Sequence, residues 1–503
     1  MLTAYTSDEI RAAERELMSR LPEGTLMRRA ATGLAAACAG LLPRVYGARV
    51  VLLIGAGDNG GDALYAGADL ARRGARVDAV LAGRSAHEGG LGALRRAGGR
   101  TLDLREAGEA GENVEGDAAR LIDRADVILD GLVGIGGSGA LREPYATLAR
   151  LSARASGIVV AVDVPSGVDA STGEVGGDAV RAHVTVTFGA VKAGLLIDPG
   201  ASHVGALSPV DIGLRPWLPE PGVTALTGPD VADLLPRPEA ESNKYRRGVV
   251  GVVAGGDRFT GAGVLTVGGA VRAGAGLVRF ASAAEPVRYV RAKWPEAITT
   301  ILGPGEGVEQ VGRVQAWVLG PGMGTGDDAH ALAASVLRSD VPVLVDADGL
   351  TLAARDRSLL RRDAPTLITP HTGELGRLLG VPSGEIEARR LHYARRAAEE
   401  LGVTVLLKGS TTLVAEEGRP VRVNLTGTPW LATGGTGDVL AGIAGALLAG
   451  GLSCYDAASC AAHAHGLAAR AAAGDPRMGE APIVALDVAL ELPGAIRALT
   501  AGA

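Results

Sequence analysis

The sequence predicts an α/β protein made of two successive domains. Short runs of Val, Ile and Leu alternate with helical segments rich in Ala and Arg, which is the order expected of βαβ units. Aromatic residues make up only 3% of the chain, so aliphatic side chains must build the core, as in parallel sheets buried on both faces. With 503 residues the chain exceeds one ordinary hydrophobic core, and two domains are expected.

The predicted strands fall into two sets. In the N-terminal half, apolar runs begin at Arg49, Asp126, Gly157 and Val184. Residues 216–238 contain six prolines and no hydrophobic period, which predicts a linker. In the C-terminal half, apolar runs begin at Gly248, Ala316, Pro342, Thr366 and Thr404. We therefore expect domains at residues 1–220 and 221–503, and because their strand-end motifs differ, they are not a repeat.

Composition excludes several classes of protein. The formal net charge of −6 gives no basic surface for nucleic acid. Cys38, Cys454 and Cys460 lack the spacing of a zinc site or a disulfide framework, which favours a reducing cytoplasm. Charges interrupt the first twenty residues, so no signal peptide is expected. The apolar stretch 439–452 is too short to span a membrane and predicts a buried core helix.

A glycine-rich loop follows the first long apolar run. Gly55 to Gly60 satisfies the pattern G-x-G-x-x-G between a predicted strand and a helix, which alone suggests a loop for a dinucleotide pyrophosphate. The next strand ends in Ala82, Gly83 and Arg84, where a dehydrogenase would carry an acidic residue for the ribose. An ordinary dehydrogenase is therefore disfavoured.

Polar residues follow neighbouring strands in the same half. Asn59, Asp130, Asp163 and Ser166 lie at or just beyond predicted strand ends, which meet at one edge of a parallel sheet. Their oxygen atoms suit a hard cation, and the glycine loop 134–139 could hold phosphate through its backbone N–H groups. Alternatively, each aspartate only caps a turn or a helix. Together with two glycine loops, the four residues favour a binding site.

The C-terminal half carries the run Gly434-Gly435-Thr436-Gly437-Asp438 before a helix. The N–H groups at the start of that helix predict an anion hole. The helix dipole should keep Asp438 ionised, so that it can accept a proton from a substrate hydroxyl that attacks phosphorus. A simple helix cap is the alternative. The nearby segment 424–429 favours the functional interpretation.

Further motifs in this half follow other predicted strands. Residues 408–412 offer one cation and three hydroxyls as a cradle for a nucleotide, and no P-loop sequence occurs. His371 and Gly322 should share the same sheet edge and contact substrate. His463 and His465 are two positions apart on a helix, so they face different directions and are predicted to be packing or surface residues.

The N-terminal half resembles the epimerase domain of NAD(P)H-hydrate repair enzymes over about residues 5–215. The resemblance rests on GAGDNGGDALYAGADLARRG, DGLVGIGGSG, DVPSGVDASTG and TFGAVKAGLLIDPG. It implies a Rossmann-like three-layer αβα sandwich, potassium at Asn59, Asp130 and Ser166, and Asp163 as acid/base at the substrate. Substrate contacts are implied for Asp58, Asn59, Gly60, Gly61, Asp62, Gly134, Ile135, Gly136, Gly137, Ser138, Gly139 and Ala140. The chain departs from the family at Arg28, Asp58 and Ala63.

The C-terminal half resembles the ribokinase-like dehydratase domain that accompanies that epimerase, over about residues 225–500. The matching segments are GGDRFTGAGVLTVGGAVRAGAGLV, GPGMG, DADGL, TPHTGE, KGSTT and NLTGTPWLATGGTGDVLAG. The resemblance implies that adenine nucleotide binds at Lys408, Gly409, Ser410, Thr411, Thr412 and Gly437. It implies that the hydrated nicotinamide nucleotide contacts Ala262, Gly322, His371 and Asp438.

Together the two resemblances imply the repair of NADHX and NADPHX, in which water has added to the nicotinamide ring. One domain would interconvert the R and S epimers, and the other would use ADP with Mg²⁺ to dehydrate the S epimer, giving AMP and phosphate. We also expect a cytoplasmic homo-oligomer, a tetramer or larger, without nucleic-acid or membrane partners. The alternatives are a vitamin-precursor or sugar kinase, and an N-terminal module that binds a dinucleotide without catalysis.

Overall fold

Two sheets, each covered by helices, form two separate units in the computed structural model, which describes residues 1–104, 114–475 and 479–501. One unit, the first domain, holds residues 3–223, and the other, the second domain, holds residues 1–2 and the chain from residue 224 onward. The predicted α/β class with two domains is confirmed.

In the described ranges 3–104 and 114–223, the first domain contains a seven-stranded parallel sheet and six α-helices. Its strands are β1 (Leu2–Tyr5), β2 (Arg49–Ile54), β3 (Arg76–Leu81), β4 (Arg100–Asp103), β5 (Val127–Gly131), β6 (Ile158–Val162), β7 (Val184–Phe188), β8 (Val191–Lys192) and β9 (Ala206–Val210). Its helices are α1 (Ser7–Met18), α2 (Thr25–Leu41), α3 (Asp58–Arg72), α4 (Glu88–Arg96), α5 (Val114–Asp123) and α6 (Tyr145–Ser152). The sheet order is β4-β3-β2-β5-β6-β7-β9, and β1 pairs with β8 apart from it.

Strand β2 shows why this sheet has helices on both faces. Val50, Leu52 and Ile54 pack with residues of α1 to α4, whereas Val51 and Leu53 pack with residues of α5 and α6. Since successive side chains of a strand point to opposite faces, a continuous run of aliphatic residues buries both. The result is a three-layer αβα sandwich.

The second domain contains ten strands and eleven helices among the residues that the structure describes. Its strands are β10 (Val223–Ala225), β11 (Val249–Val253), β12 (Leu277–Ser282), β13 (Ile298–Ile301), β14 (Ala316–Leu319), β15 (Val343–Val345), β16 (Thr366–Ile368), β17 (Thr404–Leu407), β18 (Thr412–Ala415) and β19 (Val421–Asn424). Its helices are α7 (Gly228–Leu234), α8 (Thr260–Arg272), α9 (Ala284–Lys293), α10 (Asp327–Leu337), α11 (Ala347–Arg355), α12 (Thr372–Leu379), α13 (Ser383–Ala388), α14 (Arg390–Leu401), α15 (Thr436–Ala449), α16 (Cys454–Ala473) and α17 (Ala485–Ala501). The order β13-β12-β11-β14-β15-β16-β17 is parallel, and β18 and β19 continue it antiparallel.

Helices α8 and α15 pack with their backbones in contact. A Cβ atom on Gly269 of α8 would collide with the carbonyl of Val439, and one on Gly442 of α15 would collide with the carbonyl of Thr266. Glycine permits this approach because it has no side chain. The contact fixes the start of α15, which carries the Gly-Thr-Gly-Asp motif, against α8.

Two sequence predictions can be compared with these elements. The proline-rich stretch 216–238 is not a plain linker, because it contains β10 and α7. The apolar stretch from Val439 forms most of α15, which is buried as predicted.

Among the described residues, no helix combines the length and apolar character needed to cross a membrane. Cys38, Cys454 and Cys460 are buried free thiols.

Candidate functional site

The polar residues predicted to converge in the first domain follow three adjacent strands. Asn59 lies in the first turn of α3, directly after β2, while Asp130 lies in β5. Asp163 and Ser166 follow β6. Because β2, β5 and β6 are neighbours in the sheet, their carboxyl ends bring these residues to one edge.

Asp130 and Ser166 form a hydrogen-bonded pair. Ser166 donates its backbone N–H to Oδ2 of Asp130 at 2.8 Å and its hydroxyl to Oδ1 at 2.6 Å. Asp130 is fully buried, and burial raises its pKa to about 6 against the opposing effect of these hydrogen bonds. The Nδ2 atom of Asn59 is buried and has no partner among the residues that the structure describes, and a Cβ on Gly134 would lie 3.3 Å from Oδ1 of Asn59. The structure therefore concentrates oxygen atoms at this point.

Asp163 is held in a constrained conformation. Its φ of 66° lies in the left-handed region, which residues other than glycine seldom adopt. Its Oδ1 atom accepts the backbone N–H of Phe188 at 2.9 Å and forms an ion pair with Lys192. Lys192 is only 1% exposed and also donates to the hydroxyl of Thr187 and the carbonyl of Phe188. Sequence reasoning missed Lys192, because its partner is distant in sequence and no local pattern marks a buried lysine.

A cavity of about 1600 Å³ opens beside these residues. Predicted substrate residues that line it are Asp58, Asn59, Asp62, Gly134, Ile135, Gly136, Gly137 and Asp163. Gly60 and Gly61 are buried behind the loop, and Ser138, Gly139 and Ala140 are exposed and outside this lining. A Cβ on Gly136 would lie 2.9 Å from Nη2 of Arg11, so a cation faces the glycine loop. Arg11 was not predicted, and it adds to the ability of this loop to hold phosphate.

In the second domain, Asp438 lies in the first turn of α15. Gly435 caps this helix with a φ of 90°. The pKa of Asp438 is raised to about 7, first by burial and then by the charges of Asp346 and Asp348, against the opposing charge of Lys408. The sequence prediction that the helix dipole keeps this group ionised was incomplete, because burial and like charges outweigh the dipole. A carboxylate with a pKa near neutrality suits a general base.

Lys408 is the first residue of the segment 408–412, which is predicted to bind the nucleotide, and its charge acts on Asp438. Its Nζ atom donates to Oδ1 of Asp346 at 2.7 Å and lies 3.7 Å from Oε2 of Glu374. Burial lowers the pKa of Lys408, but the neighbouring carboxylates outweigh burial and leave the pKa raised. A Cβ on Gly437 would lie 3.5 Å from the same Nζ atom. The lysine predicted to offer a cation to the nucleotide is thus paired with Asp346, a residue that sequence reasoning did not single out.

Arg390 of α14 shapes the loop after β17. Its Nη2 atom donates to the carbonyls of Leu407, Lys408 and Thr411 at 3.3, 3.0 and 3.2 Å. A Cβ on Gly409 would collide with this guanidinium group, which explains the glycine. Sequence reasoning missed Arg390 because it lies in an arginine-rich helix and its partners are backbone atoms. Ser410, Thr411 and Thr412 remain partly or fully exposed on the loop.

Three predicted contacts of the nicotinamide nucleotide lie at strand and helix ends. Gly322 has a φ of 65°, and a Cβ there would lie 2.8 Å from Cβ of Ala262, so these two residues are adjacent. His371 caps α12 and is 55% exposed, with Nε2 at 3.6 Å from Oε1 of Glu374. Since Glu374 also neighbours Lys408, His371 belongs to the same group of polar residues as the loop 408–412, which is predicted to bind the nucleotide and is called the nucleotide loop below.

His463 and His465 are both buried in α16, in keeping with the prediction that they pack. His465 hydrogen-bonds to the backbone of Thr436, and burial lowers its pKa to about 4. It therefore supports the Gly-Thr-Gly-Asp turn as a neutral residue. Within the described part of the chain, no three or more His, Cys, Asp or Glu side chains form a group suited to a metal ion.

The fold and the two sites define a class: an enzyme that joins a Rossmann-like domain to a ribokinase-like domain. Residues 23–194 match the family described as YjeF-related protein N-terminus, and residues 250–488 match the NAD(P)H-hydrate dehydratase family. The bifunctional NAD(P)H-hydrate repair enzyme Nnr of Mycobacterium leprae is 44% identical over 98% of this chain and 99% of its own length. Its Moorella thermoacetica counterpart is 35% identical over 91% of this chain and 89% of its own length.

A solved structure resembles the second domain. The ADP/ATP-dependent NAD(P)H-hydrate dehydratase of Bacillus subtilis, co-crystallised with ATP and Mg²⁺, is 29% identical with a TM-score of 0.50. The match covers 55% of this chain and 99% of that one. The chain belongs to the family of bifunctional NAD(P)H-hydrate repair enzymes.

Proposed function

We propose that this chain repairs NADHX and NADPHX in two steps. The first domain interconverts the R and S epimers, and the second returns the S epimer to NADH or NADPH at the expense of ADP, giving AMP and phosphate. The observation that carries the proposal is the arrangement around Asp438, where a base with a pKa of about 7 lies beside the nucleotide loop. A kinase with a non-catalytic N-terminal module is not supported, since relatives that match nearly the whole chain are bifunctional repair enzymes.

In the second domain, ADP would bind at residues 408–412 and Gly437, and the hydrated ring would lie near Ala262, Gly322 and His371. Asp438 accepts the proton of the ring hydroxyl as the hydroxyl oxygen attacks phosphorus. The N–H groups at the start of α15 stabilise the charge on the transferred group. The lone pair of the ring nitrogen then expels phosphate, a better leaving group than hydroxide, and the C–O bond breaks. The neighbouring ring carbon loses a proton to the departing phosphate or to water, its C–H electron pair forms the ring C=C bond, and the reduced nicotinamide forms again.

Mg²⁺ would accompany the nucleotide, as in the Bacillus subtilis structure obtained with ATP and Mg²⁺. The described residues contain no ready-made group of three metal ligands, and Asp346 is engaged by Lys408. The ion would therefore be held mainly by phosphate oxygens and water, which is common for Mg²⁺. When bound, it would neutralise charge on the transferred phosphoryl group.

In the first domain, we propose that Asn59, Asp130 and Ser166 hold K⁺. The set fits such an ion through its oxygen atoms, because the fully buried carboxylate of Asp130 and the hydroxyl of Ser166 lie together and Asn59 brings an amide oxygen to the same sheet edge. A bound cation would keep Asp130 ionised despite its burial. Residues 58–62 and 134–140 would contact the dinucleotide, with Arg11 facing its phosphates, and Asp163 would act as acid/base.

We also propose a cytoplasmic homo-oligomer, a tetramer or larger. Buried free thiols suit a reducing compartment, and β13 exposes Ile298 and Ile301, each by more than two fifths of its surface. Strand β13 is the first strand in the order of its sheet, and an edge strand that exposes apolar side chains favours association between subunits. Sedimentation analysis of the purified chain tests the assembly, and a purely monomeric species would overturn it.

The decisive experiment incubates the purified chain with a mixture of R and S NADHX and with ADP or ATP. Recovery is followed by the absorbance of the reduced nicotinamide and by chromatography of the epimers. We expect both epimers to be consumed, with AMP and phosphate formed from ADP. Accumulation of a stable phosphorylated nicotinamide nucleotide would contradict the dehydratase and favour a kinase.

A further inference from the structure

Asp62 occupies an unusual position in the first domain. It lies in the second turn of α3, lines the cavity and is only 9% exposed. Its Oδ1 atom is buried and has no hydrogen-bond partner within the described residues. A charged carboxylate oxygen left without a partner in such a place is costly, whereas a protonated carboxyl group is tolerated. The geometry therefore favours the neutral acid.

The charges that face Asp62 act in the same direction. Burial raises its pKa well above the usual range, and Asp163, Asp58 and Glu14 raise it further, whereas Lys192 lowers it. Glu14 lies on α1 and has a pKa raised to about 6, mainly by burial. From the segment before α4, the ring of His87 faces the neighbouring Gly61. The cations Arg11 and Arg15 also border the cavity.

Asp163 borders the same cavity but has partners for its carboxylate. It is ion-paired with the buried Lys192 and accepts two further hydrogen bonds, from Phe188 and Thr187. The cavity thus contains one carboxyl group placed to give a proton and one carboxylate placed to accept a proton. Two carboxyl groups whose surroundings separate their charge states are the usual arrangement of a general acid and a general base.

The chemistry of epimerisation needs such a pair. Hydration of an enamine puts the hydroxyl on the carbon attached to nitrogen, so the epimeric carbon of a hydrated nicotinamide adjoins the ring nitrogen. Its configuration can change if the hydroxyl leaves as water and water returns to the other face of the ring. An acid must protonate the leaving oxygen, and a base must take a proton from the water that returns.

We propose that Asp62 is the general acid of the epimerisation and that Asp163 is the base that completes it. This assignment rests on the proposed epimerase function. Asp62 gives its proton to the hydroxyl oxygen, the C–O bond breaks, and the lone pair of the ring nitrogen forms a C=N bond as water departs. Water then adds to the opposite face, the C=N electron pair returns to nitrogen, and Asp163 takes the proton released by the water.

The reverse reaction uses the same two groups in exchanged roles, and solvent in the open cavity restores their protons between turnovers. The pair explains why two aspartates of unlike surroundings share one cavity. It also separates Asp62 from the other residues of its loop, which are expected only to contact the dinucleotide.

The test starts from pure (R)-NADHX without ADP, so that the second domain consumes nothing. Chromatography measures the initial rate of S formation for the full-length wild type, for Asp62→Asn and for Asp117→Asn, an exposed control on α5. We expect Asp62→Asn to lower kcat by about 10² to 10³-fold with little change in KM. The control should match the wild type. Dehydration of (S)-NADHX with ADP should stay unchanged in all three proteins and reports that the second domain is folded, whereas denaturant unfolding with a probe in the first domain reports on the unit that carries Asp62.

The pH dependence supplies a second, independent readout. A general acid works only while protonated, so the wild-type rate should fall as the pH rises through the raised pKa of Asp62. In Asp62→Asn the remaining rate should lack this decrease. Because Glu14, His87 and Asp58 face the same space, Glu14→Gln and His87→Gln are measured alongside, and neither should remove it.

The possible outcomes separate this proposal from the function on which it rests. If the wild type forms the S epimer no faster than buffer does, the epimerase function itself fails. If the wild type is active and Asp62→Asn matches it, the acid assignment is wrong. A rise in KM at unchanged kcat would reduce Asp62 to a binding residue. Should Asp62→Asn fail to fold, a wild-type profile without the decrease at high pH would still overturn the proposal.

Discussion

Asp163 and Asp438 lie in different domains, each near the carboxyl ends of parallel strands, but the charges around them differ. Asp163 is paired with a buried lysine and accepts hydrogen bonds from Phe188 and Thr187. Asp438 lies among other carboxylates, and its pKa rises to about 7. The comparison shows that one chain can hold one aspartate as a stable ion pair and leave the other close to its titration point.

The largest effect expected is the separation of the two activities. Asp438→Asn removes the proposed base and should reduce ADP-dependent recovery of NADH from (S)-NADHX by about 10² to 10⁴-fold. Epimerisation should be retained, because Asp163 and its partners lie in the other domain. Asp163→Asn is the matched variant and should show the reverse. Loss of both activities in either variant would contradict two independent sites.

A second effect concerns the ion pair that distinguishes the first domain. Lys192→Met leaves the buried carboxylate of Asp163 without its partner and should destabilise the first domain by about 3 to 5 kcal/mol. Denaturant unfolding with probes in each domain measures this, and the second domain should keep its midpoint. Lys293→Met, at the C-terminal end of α9, provides a control that breaks no buried pair. Unfolding of the first domain at the wild-type midpoint would show that the pair does not stabilise it.

A substitution of Arg390 tests whether ADP binding depends on the hydrogen bonds that this residue donates to the nucleotide loop. Arg390→Met removes the hydrogen bonds to three carbonyls of this loop and should raise the KM for ADP about tenfold, as for a loss of roughly 1.4 kcal/mol. Arg396→Met, on the same helix but partly exposed and paired with Glu400, is the control. Initial rates at varied ADP concentration decide, and equal KM values for both variants would remove Arg390 from this role.

The pH profile of dehydration tests whether the pKa of Asp438 is about 7. A base must be ionised, so the dehydration kcat/KM should fall about tenfold per pH unit below a pKa of about 7. Asp348 is one of the carboxylates that raise this pKa. Asp348→Asn should therefore move the decrease to lower pH, whereas Asp328→Asn, at the start of α10, should not. A profile that stays flat from neutral to acidic pH would exclude Asp438 as a base with this pKa.

The smallest effect is expected from a surface ion pair that lies near neither aspartate. Asp117 and Arg120 of α5 are paired at 2.6 Å with side chains that are 47% and 66% exposed. Asp117→Ala should change the free energy of unfolding by less than about 1 kcal/mol. A larger destabilisation, measured by denaturant unfolding, would mean that exposed pairs matter here as much as the pair of Asp163.

The strands that carry the sites could be predicted because their chemistry is local. Strands β2, β5, β11 and β14 each combine a run of buried aliphatic residues with Gly or Asp at the end, and both signals lie within a few residues. The antiparallel strand β19 lacks such a signal. It is short, it alternates buried and partly exposed residues, and its pairing with β18 identifies it only in three dimensions.

The misreading of stretch 216–238 has a specific cause. A proline-rich stretch predicts a linker, but Pro229 lies in the first turn of α7, where a backbone N–H has no intrahelical acceptor. Thr227 and Asp230 form a capping box at the same end. The cap was visible in the sequence, and it outweighs the prolines.

Lys192, Arg390 and Asp346 could not be found from the sequence for a different reason. Each acts on a residue that lies far away along the chain, and its role depends on burial. The charge state of Asp438 has the same origin, because Asp346, Asp348 and Lys408 come from other loops. Local sequence predicted which residue types meet at each sheet edge, whereas tertiary packing determined their protonation.

The glycine contact between α8 and α15 has a consequence for motion. Gly269 and Gly442 meet backbone atoms next to Asp438 and near Ala262, so the proposed base and a proposed substrate contact lie on two helices whose backbones touch. Helices α8 and α15 should therefore move as one rigid unit, so any opening or closing of the second site must come from the loops around them. The absence of side chains at Gly269 and Gly442 thus limits how far Asp438 and Ala262 can move apart. On heating, we expect the loop 408–412 to become mobile at a lower temperature than the contact between the two helices.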